Sequence, residues 1–168
     1  MTSDVVVRRA DAHDAEELVR LRTVMMAAVD GAAPALGEWS DVAVASLRRR
    51  LPQAGASMAA FVVDRPSAAG LAACAVGVFE ERLGSPANPN GLAGYVFNVA
   101  TDPDYRRRGF STACMRALLD WFAANDVAVV NLRASDDGLP VYTRLGFELQ
   151  HGPAMRLKLQ GPIRSSAV

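Results

Sequence analysis

Apolar residues along this chain repeat at two spacings, and the switches between spacings mark its elements. The run Val5 to Arg9 reads as a short strand. Asp11 then offers a helix cap, with Asp14 three residues on in a near capping box. Leu18, Leu21, Met25 and Val29 follow at helical steps, which predicts a helix from Ala12 to Val29. The stretch DGAAPALGEW breaks it. Ser40 and Asp41 are positioned to cap a second helix running through Leu47 to Leu51, where Pro52 stops it. Its last turn carries Arg48, Arg49 and Arg50, cations that suit a helix C-terminus.

SMAAFVVD and LAACAVGVFEERL are strand-like apolar runs joined by RPSAAG, the pattern of a hairpin. GSPANPNG is a loop by composition, and LAGYVFNVAT the next strand. From Gly109 to Asn125 the helical period is clearest. Phe110, Ala113, Cys114, Ala117, Leu118, Trp121 and Phe122 make one wide apolar face, and Arg116 and Asp120 are spaced to pair outside. VAVVNLRAS reads as a strand. LPVYTRL reads as a short helix begun near Pro140, with Gly146 just past its end. FELQH and AMRLKL predict a closing hairpin through Gly152 and Pro153, and GPIRSSAV a loose tail. The expected order is βααβββαβαββ: an α/β (α+β) fold with a mixed, mostly antiparallel sheet flanked by helices. The one strand–helix–strand unit in it should be a right-handed parallel crossover. A single domain is expected over residues 1–160, with a tail at 161–168.

Composition narrows the function. Lys+Arg and Asp+Glu are both 18, so the chain of 168 residues is not a general polyanion binder, and any anion site must be local. That balance weighs against a nucleic-acid module. Cys74 and Cys114 stand far apart in apolar company, as buried thiols of a reducing cytoplasm do. No cysteine or histidine cluster has metal-ligand spacing. The N-terminus lacks a hydrophobic signal core, and no apolar run approaches the ~20 residues of a membrane span. These features lead us to expect a cytoplasmic protein that binds neither membrane nor nucleic acid.

One local anion site stands out in ATDPDYRRRGFSTACMRALLDWF. Arg106, Arg107 and Arg108 directly precede Gly109, where a strand passes into the long helix. A helix mouth has unpaired backbone N–H groups and a partial positive charge, and phosphate binds there readily. Glycine lets a ligand approach the backbone, Ser111 and Thr112 add hydroxyls, and Asp102–Pro103 supplies a turn that aims the loop. The dinucleotide fingerprint GxGxxG and the nucleotide loop GxxxxGK(S/T) are both absent.

VATDPDYRRRGFS resembles the acyl-CoA-binding motif of the GNAT N-acyltransferase superfamily: a strand, a turn with proline, then Q/R-x-x-G-x-G/A opening a helix. Arg106 to Ser111 fall on it in order, with Ser111 in place of the usual Gly or Ala. LRASDDGLPVYTRLGFE resembles the family's second signature, with Tyr142 on its tyrosine and Gly146–Phe147 on its Gly-Phe. The order of elements matches from about Val5 to Leu159.

The resemblance implies an N-acetyltransferase in which an amine attacks the thioester of acetyl-CoA directly. It assigns the pyrophosphate to backbone N–H groups from Arg107 to Thr112, Phe110 among them. It assigns the pantetheine arm to the backbone of Val99, Ala100 and Thr101, where the sheet splays. Tyr142 is placed beside the cofactor, at the leaving thiolate. Tyrosine has a pKa of ~10 and a cysteine-like thiol ~8.5, so full proton transfer is uphill by roughly 2 kcal/mol, and Tyr142 is read first as a hydrogen-bond donor. Asn131, a polar interruption in the later strand, is assigned to the cofactor or local backbone, and Ser135 to the cofactor.

The attacking amine also needs a proton acceptor. Glu80 and Glu81 end a strand near the expected acceptor cleft, and adjacent strand residues point to opposite faces, so at most one faces in. Asn98 could position a water or the acceptor but cannot act as a base. Of the two histidines, His13 is expected to lie exposed on the first helix turn, and His151, near the closing hairpin, is a remote base candidate. Glu38 and Trp39, in the loop between the first two helices, are candidate linings of the acceptor pocket. The expected acceptor is a small-molecule or peptide amine, and a homodimer through the closing strands is compatible with the family. The alternative reading is a non-catalytic acyl-CoA-binding or regulatory domain of the same fold.

Overall fold

Asp11 caps the first turn as its sequence suggests. Its carboxylate accepts the His13 N–H at 2.7 Å, and Asp14 reaches back to the Asp11 N–H at 2.9 Å. In the computed structural model, which describes residues 5–159, this turn is a short 3-10 helix, Ala12–Asp14, running into α1, Ala15–Asp30. Strand β1 is only Arg8–Arg9, shorter than the expected Val5 to Arg9. Val5 and Val7 pack side-on against the core, and Arg8 instead clamps two carboxylates, Asp14 and Asp64, with bonds of 2.7–2.9 Å.

Helix α2 spans Glu38–Arg50 and starts earlier than Ser40. Gly37 takes the cap position. Ser40 acts from inside the first turn, accepting the Gly37 N–H at 3.0 Å and donating to the Gly37 carbonyl at 2.6 Å. Glu38 and Trp39 are therefore helical, not loop residues, and the Trp39 indole donates to the Ala35 carbonyl at 2.8 Å.

Strands β2 (Met58–Asp64), β3 (Leu71–Glu81) and β4 (Leu92–Thr101) form an antiparallel meander. Helix α3 (Phe110–Ala124) then carries the chain to β5 (Val129–Leu132), which pairs parallel with β4. The sheet order is β1-β2-β3-β4-β5, followed by a short helix α4, Leu139–Arg144. The mixed, mostly antiparallel sheet flanked by helices is thus present, but the closing hairpin is not. Residues 147–150 and 153–159 form neither helix nor strand, and Met155, Leu157 and Leu159 stand 94%, 81% and 68% exposed. Their alternation is strand-like, yet the β5 edge that a closing hairpin would extend is only four residues long, and no layer covers their apolar side chains. The tail at 161–168 lies outside the described residues. No described helix is long and apolar enough to cross a membrane.

Each face of the sheet buries its own core. On one face Leu18, Leu21, Leu51, Met58, Val62 and Val76 pack beneath α1 and α2. On the other, Met115, Leu118 and Phe122 of α3 pack on Ala73, Ala75 and Val96. Gly77 and Gly94 make room for Phe122, since a Cβ at either would sit 2.7–2.8 Å from its ring. Cys74 and Cys114 are buried, one in each core, and burial pushes the Cys74 thiol up to about 12, so it stays protonated. Arg116 and Asp120 make no ion pair with each other among the described residues.

Two irregularities in β4 prepare a site. Val76 pairs with Asn98 but Gly77 with Val96, so Phe97 is an extra residue, a β-bulge. Phe97 and Asn98 consequently both face α1 and α2, and the alternation resumes at Val99 on the α3 side. Pairing with β5 covers only Ala93 to Val96. Past the bulge the two strands part, and the β5-facing edge of β4 is left open from Phe97 to Thr101.

Asp102 anchors the far end of β4. It is buried, accepts from Arg20 at 2.8 Å and from Arg65 at 2.7 Å, and its N–H donates to the Ala72 carbonyl at 2.8 Å. Arg20 also binds Glu17 and the Leu71 carbonyl, and Glu17 accepts the Leu71 N–H. Burial alone would raise the Asp102 pKa. The hydrogen bonds from Arg65, the Asp104 N–H and Arg20 outweigh it and hold the carboxyl below its usual range, and Glu17 is lowered in the same way. A carboxylate whose folded pKa lies below its unfolded value stabilises the fold above the unfolded value, and that contribution disappears as pH falls through the folded one. Thermal stability should therefore fall below about pH 4. Asp102→Asn should remove about 2–3 kcal/mol at neutral pH and flatten the acid limb, as melting curves between pH 2 and 7 would read. An unchanged limb would remove Asp102 from this role.

Candidate active site

The open edge of β4 is the floor of a cleft of about 260 Å³. Val99, Ala100 and Thr101 form that floor, Val24, Met25, Ala28 and Val29 of α1 form one wall, and Ser135, Gly138, Val141 and Tyr142 form the other. Arg106 and Ser111 close one end. Past Tyr142 the cleft opens into a second hollow of about 480 Å³ that shares Met25, Val29, Val99, Ser135 and Tyr142 and reaches Tyr95, Phe97, Arg133 and Arg156. Tyr142 stands at the junction of the two.

The Arg106-to-Ser111 end is built from backbone. Arg107 takes a left-handed conformation (φ 63°), uncommon for a side-chain-bearing residue, and so does Gly109 (φ 77°). The first helical bond of α3 runs from the Ala113 N–H to the Gly109 carbonyl at 3.0 Å. Among the described residues, the six N–H groups from Arg107 to Thr112 have no hydrogen-bond acceptor. Consecutive free amides in such a turn make an anion-binding concavity, reinforced by the helix dipole. A Cβ at Gly109 would meet no protein atom within 4 Å.

Of the three arginines only Arg106 lines the cleft. Arg108 lies over the Tyr105 ring at 5.2 Å and donates to the Asp104 carbonyl at 3.4 Å, while Arg107 is exposed. Phe110 packs with Tyr105 against the α3-side core, and Thr112 is half-buried outside the cleft lining.

Tyr142 is half-buried on α4, its ring edge-on to Phe147 at 6.0 Å. Its hydroxyl has no partner among the described residues, and burial raises its pKa. Ser135 starts the turn into α4, accepting the Gly138 N–H at 3.2 Å on its hydroxyl. Gly138 sets the ring's position: a Cβ there would lie 2.8 Å from Tyr142 Cε2 and 3.2 Å from Ser135 Oγ. Gly138→Ala should therefore shift the tyrosine and lower kcat by about tenfold, with a smaller change in the KM for the acyl donor. Steady-state kinetics checks this, and an unaltered kcat would show that the ring position is not critical.

Four sequence candidates lie elsewhere. Glu80 and Glu81 pair opposite Ala93 and Leu92, six or more positions along β4 from Val99 and so roughly 20 Å away. Both are exposed, and Glu80 pairs with Arg82. The strand that bears them simply runs past the cleft. Asn98 is 3% exposed and, because of the bulge, faces a separate hollow beneath α1 and α2, with its amide 3.8 Å from Cys74 Sγ. Asn131 lines a shallow hollow between β5 and residues 146–150. Neither histidine lines the cleft: His13 pairs with Asp11, and His151 is exposed. Sequence reasoning missed Met25 and Val29, whose helical spacing is that of a core face, and Tyr95, Phe97, Gly138, Arg133 and Arg156, which no motif marks.

Comparison with known proteins fits this architecture. The model of the acetyltransferase (GNAT) family matches residues 33–147, more than half of the chain, and the chain belongs to that family. A GCN5-related N-acetyltransferase of Ralstonia eutropha is 25% identical, with a TM-score of 0.76 over 90% of this chain and 97% of that one. A predicted acetyltransferase of Clostridium acetobutylicum, solved with acetyl-CoA, is 23% identical, with a TM-score of 0.75 over 92% and 95%. Glucosamine-6-phosphate N-acetyltransferase of Arabidopsis thaliana shares the fold at 14% identity, with a TM-score of 0.70 over 94% and 98%. No curated protein sequence matches the chain.

Proposed function

We propose that the protein transfers an acetyl group from acetyl-CoA to a primary amine of a small molecule or peptide, in the cytoplasm, as one domain over residues 1–160. The observation that carries this reading is the six unpartnered amides at the mouth of α3, opening onto a cleft with a free strand edge for its floor.

These features suit the donor. The N–H groups from Arg107 to Thr112, with Arg106 and the Ser111 hydroxyl, would hold the diphosphate. The free edge of Val99 to Thr101 would pair with the amides of the pantetheine arm, strand to strand. Ser135 would flank it. Acetyl-CoA supplies an acyl group already activated as a thioester. Tyr142 donates its hydroxyl hydrogen bond at the departing sulfur. Its raised pKa makes outright proton donation costlier than for a free tyrosine, which favours hydrogen bonding over transfer. The amine enters through the second hollow. Among the described residues no carboxylate lines that hollow, and the exposed Asp137 lines the cleft on the other side of Tyr142; we assign the amine proton to water in the hollow.

The test is thiol release on mixing protein, acetyl-CoA and a panel of amines, with acetylated product confirmed by mass spectrometry. Turnover of at least one amine is expected. Tight CoA binding without turnover of any amine would favour a non-catalytic acyl-CoA-binding domain instead.

A further inference from the structure

Two exposed arginines line the hollow beyond Tyr142, and among the described residues no acidic side chain lines it with them. Arg133, just past β5, and Arg156, in the irregular C-terminal segment, both line it. No aspartate or glutamate lines it, and neither arginine takes part in an ion pair among the described residues. Other arginines, such as Arg22, Arg50 and Arg144, are also outside any ion pair among the described residues; what marks Arg133 and Arg156 is that both line the hollow that adjoins Tyr142. Both are exposed, so water screens their mutual repulsion, and together they present two guanidinium groups to an anion that enters the hollow. Most of the other walls, Met25, Val29, Tyr95 and Phe97 among them, are apolar or aromatic, and Ser135 and Tyr142 add hydroxyls.

We propose that the acetyl acceptor is an amine carrying an anionic oxygen group, a carboxylate or a phosphate, held by Arg133 and Arg156 while its apolar part packs on Tyr95 and Phe97. This rests on the acetyltransferase reading above and names its substrate class. Guanidinium groups bind carboxylate and phosphate with paired N–H donors, which fixes orientation as well as affinity. The same charges disfavour the ammonium form of a nearby amine, and the neutral amine is the nucleophile. Polyamines and lysine side chains, which bring further positive charge, are disfavoured by the same field. In the reaction the amine nitrogen gains the acetyl carbon, the carbon–sulfur bond of the thioester breaks, the amine proton leaves to water and the sulfur departs as thiolate. The anionic group of the acceptor stays intact.

The experiment compares α-amino acids with their carboxamides, and 2-aminoethyl phosphate with ethanolamine, as acceptors for the full-length protein. In parallel, calorimetry measures binding of the N-acetyl amino acids, their amides and N-acetyl-2-aminoethyl phosphate, which needs no turnover. The anionic member of at least one series should be preferred at least tenfold in kcat/KM or in binding, and the preferred series tells carboxylate from phosphate. In Arg133→Gln and Arg156→Gln that ratio should collapse toward one, chiefly through KM, while CoA affinity is retained. Equal use and equal binding of charged and neutral members, or a ratio untouched by both substitutions, overturns the proposal, as does binding of no anionic member. If no amine turns over yet the N-acetylated anions bind selectively, the acetyltransferase reading fails and the anion site stands.

Discussion

Replacing Tyr142 by phenylalanine should lower kcat by about 10²- to 10³-fold, the usual effect of removing one hydrogen-bond donor from a developing negative charge. It leaves CoA affinity within about twofold, because the backbone supplies the proposed diphosphate and pantetheine contacts. The fold should not be the reason for the loss. The ring packs on Phe147, the substitution keeps the ring, and the hydroxyl has no partner to lose among the described residues. Pre-steady-state and steady-state kinetics on a variant with an unchanged melting temperature make the check. A kcat within a factor of two of the parent would take Tyr142 out of the reaction and turn attention to the neighbouring Ser135 hydroxyl.

The second large effect is at Gly109. Its φ of 77° lies where a β-branched residue is strained, so Gly109→Val should destabilise the loop by about 1–2 kcal/mol and lower the melting temperature by only a few degrees. CoA affinity should fall by tenfold or more, because hydrogen bonds to a charged group contribute about 1.5–3 kcal/mol each and several amides are displaced together. A Cβ at this position meets no protein atom within 4 Å, so the alanine variant introduces no crowding from the protein. Gly109→Ala, with less strain, should lie between valine and the parent. Calorimetric affinities for CoA across the three proteins provide the reading; equal affinities would mean that the helix mouth does not hold the ligand.

Much of the site was legible because it is written in backbone. Gly109 after three arginines, at a strand-to-helix junction, marks free amides whatever the surrounding side chains do. Tyr142 lies within five residues of a helix-ending Gly-Phe, a local pattern that needs no tertiary information. The meander and α3 were legible for a similar reason, since their apolar periods are long and unbroken. What was not legible depended on register or on distant parts of the chain. Phe97 reads as an ordinary strand residue. Only the pairing of Val76 with Asn98 and Gly77 with Val96 reveals the bulge, and that bulge turns Asn98 away from the Tyr142 cleft. Glu80 and Glu81 sit at a strand end, but which end of the sheet holds the cleft is decided by where β5 stops pairing. Arg133 and Arg156 are far apart in sequence and lack local signatures, so their shared hollow appears only in three dimensions. The closing hairpin had the right alternation and failed for want of a paired edge and a covering layer, neither of which alternation encodes.

The central claim is that the backbone amides at the mouth of α3 grip the diphosphate of CoA. Titrating the ¹⁵N-labelled protein with CoA and following amide resonances tests it residue by residue. Saturable binding is expected, with the Phe110, Ser111 and Thr112 amides moving downfield as they gain acceptors and the Val99 and Thr101 amides changing alongside them. Saturable binding in which those resonances stay fixed while others move would contradict it, as would no binding at all to the folded protein.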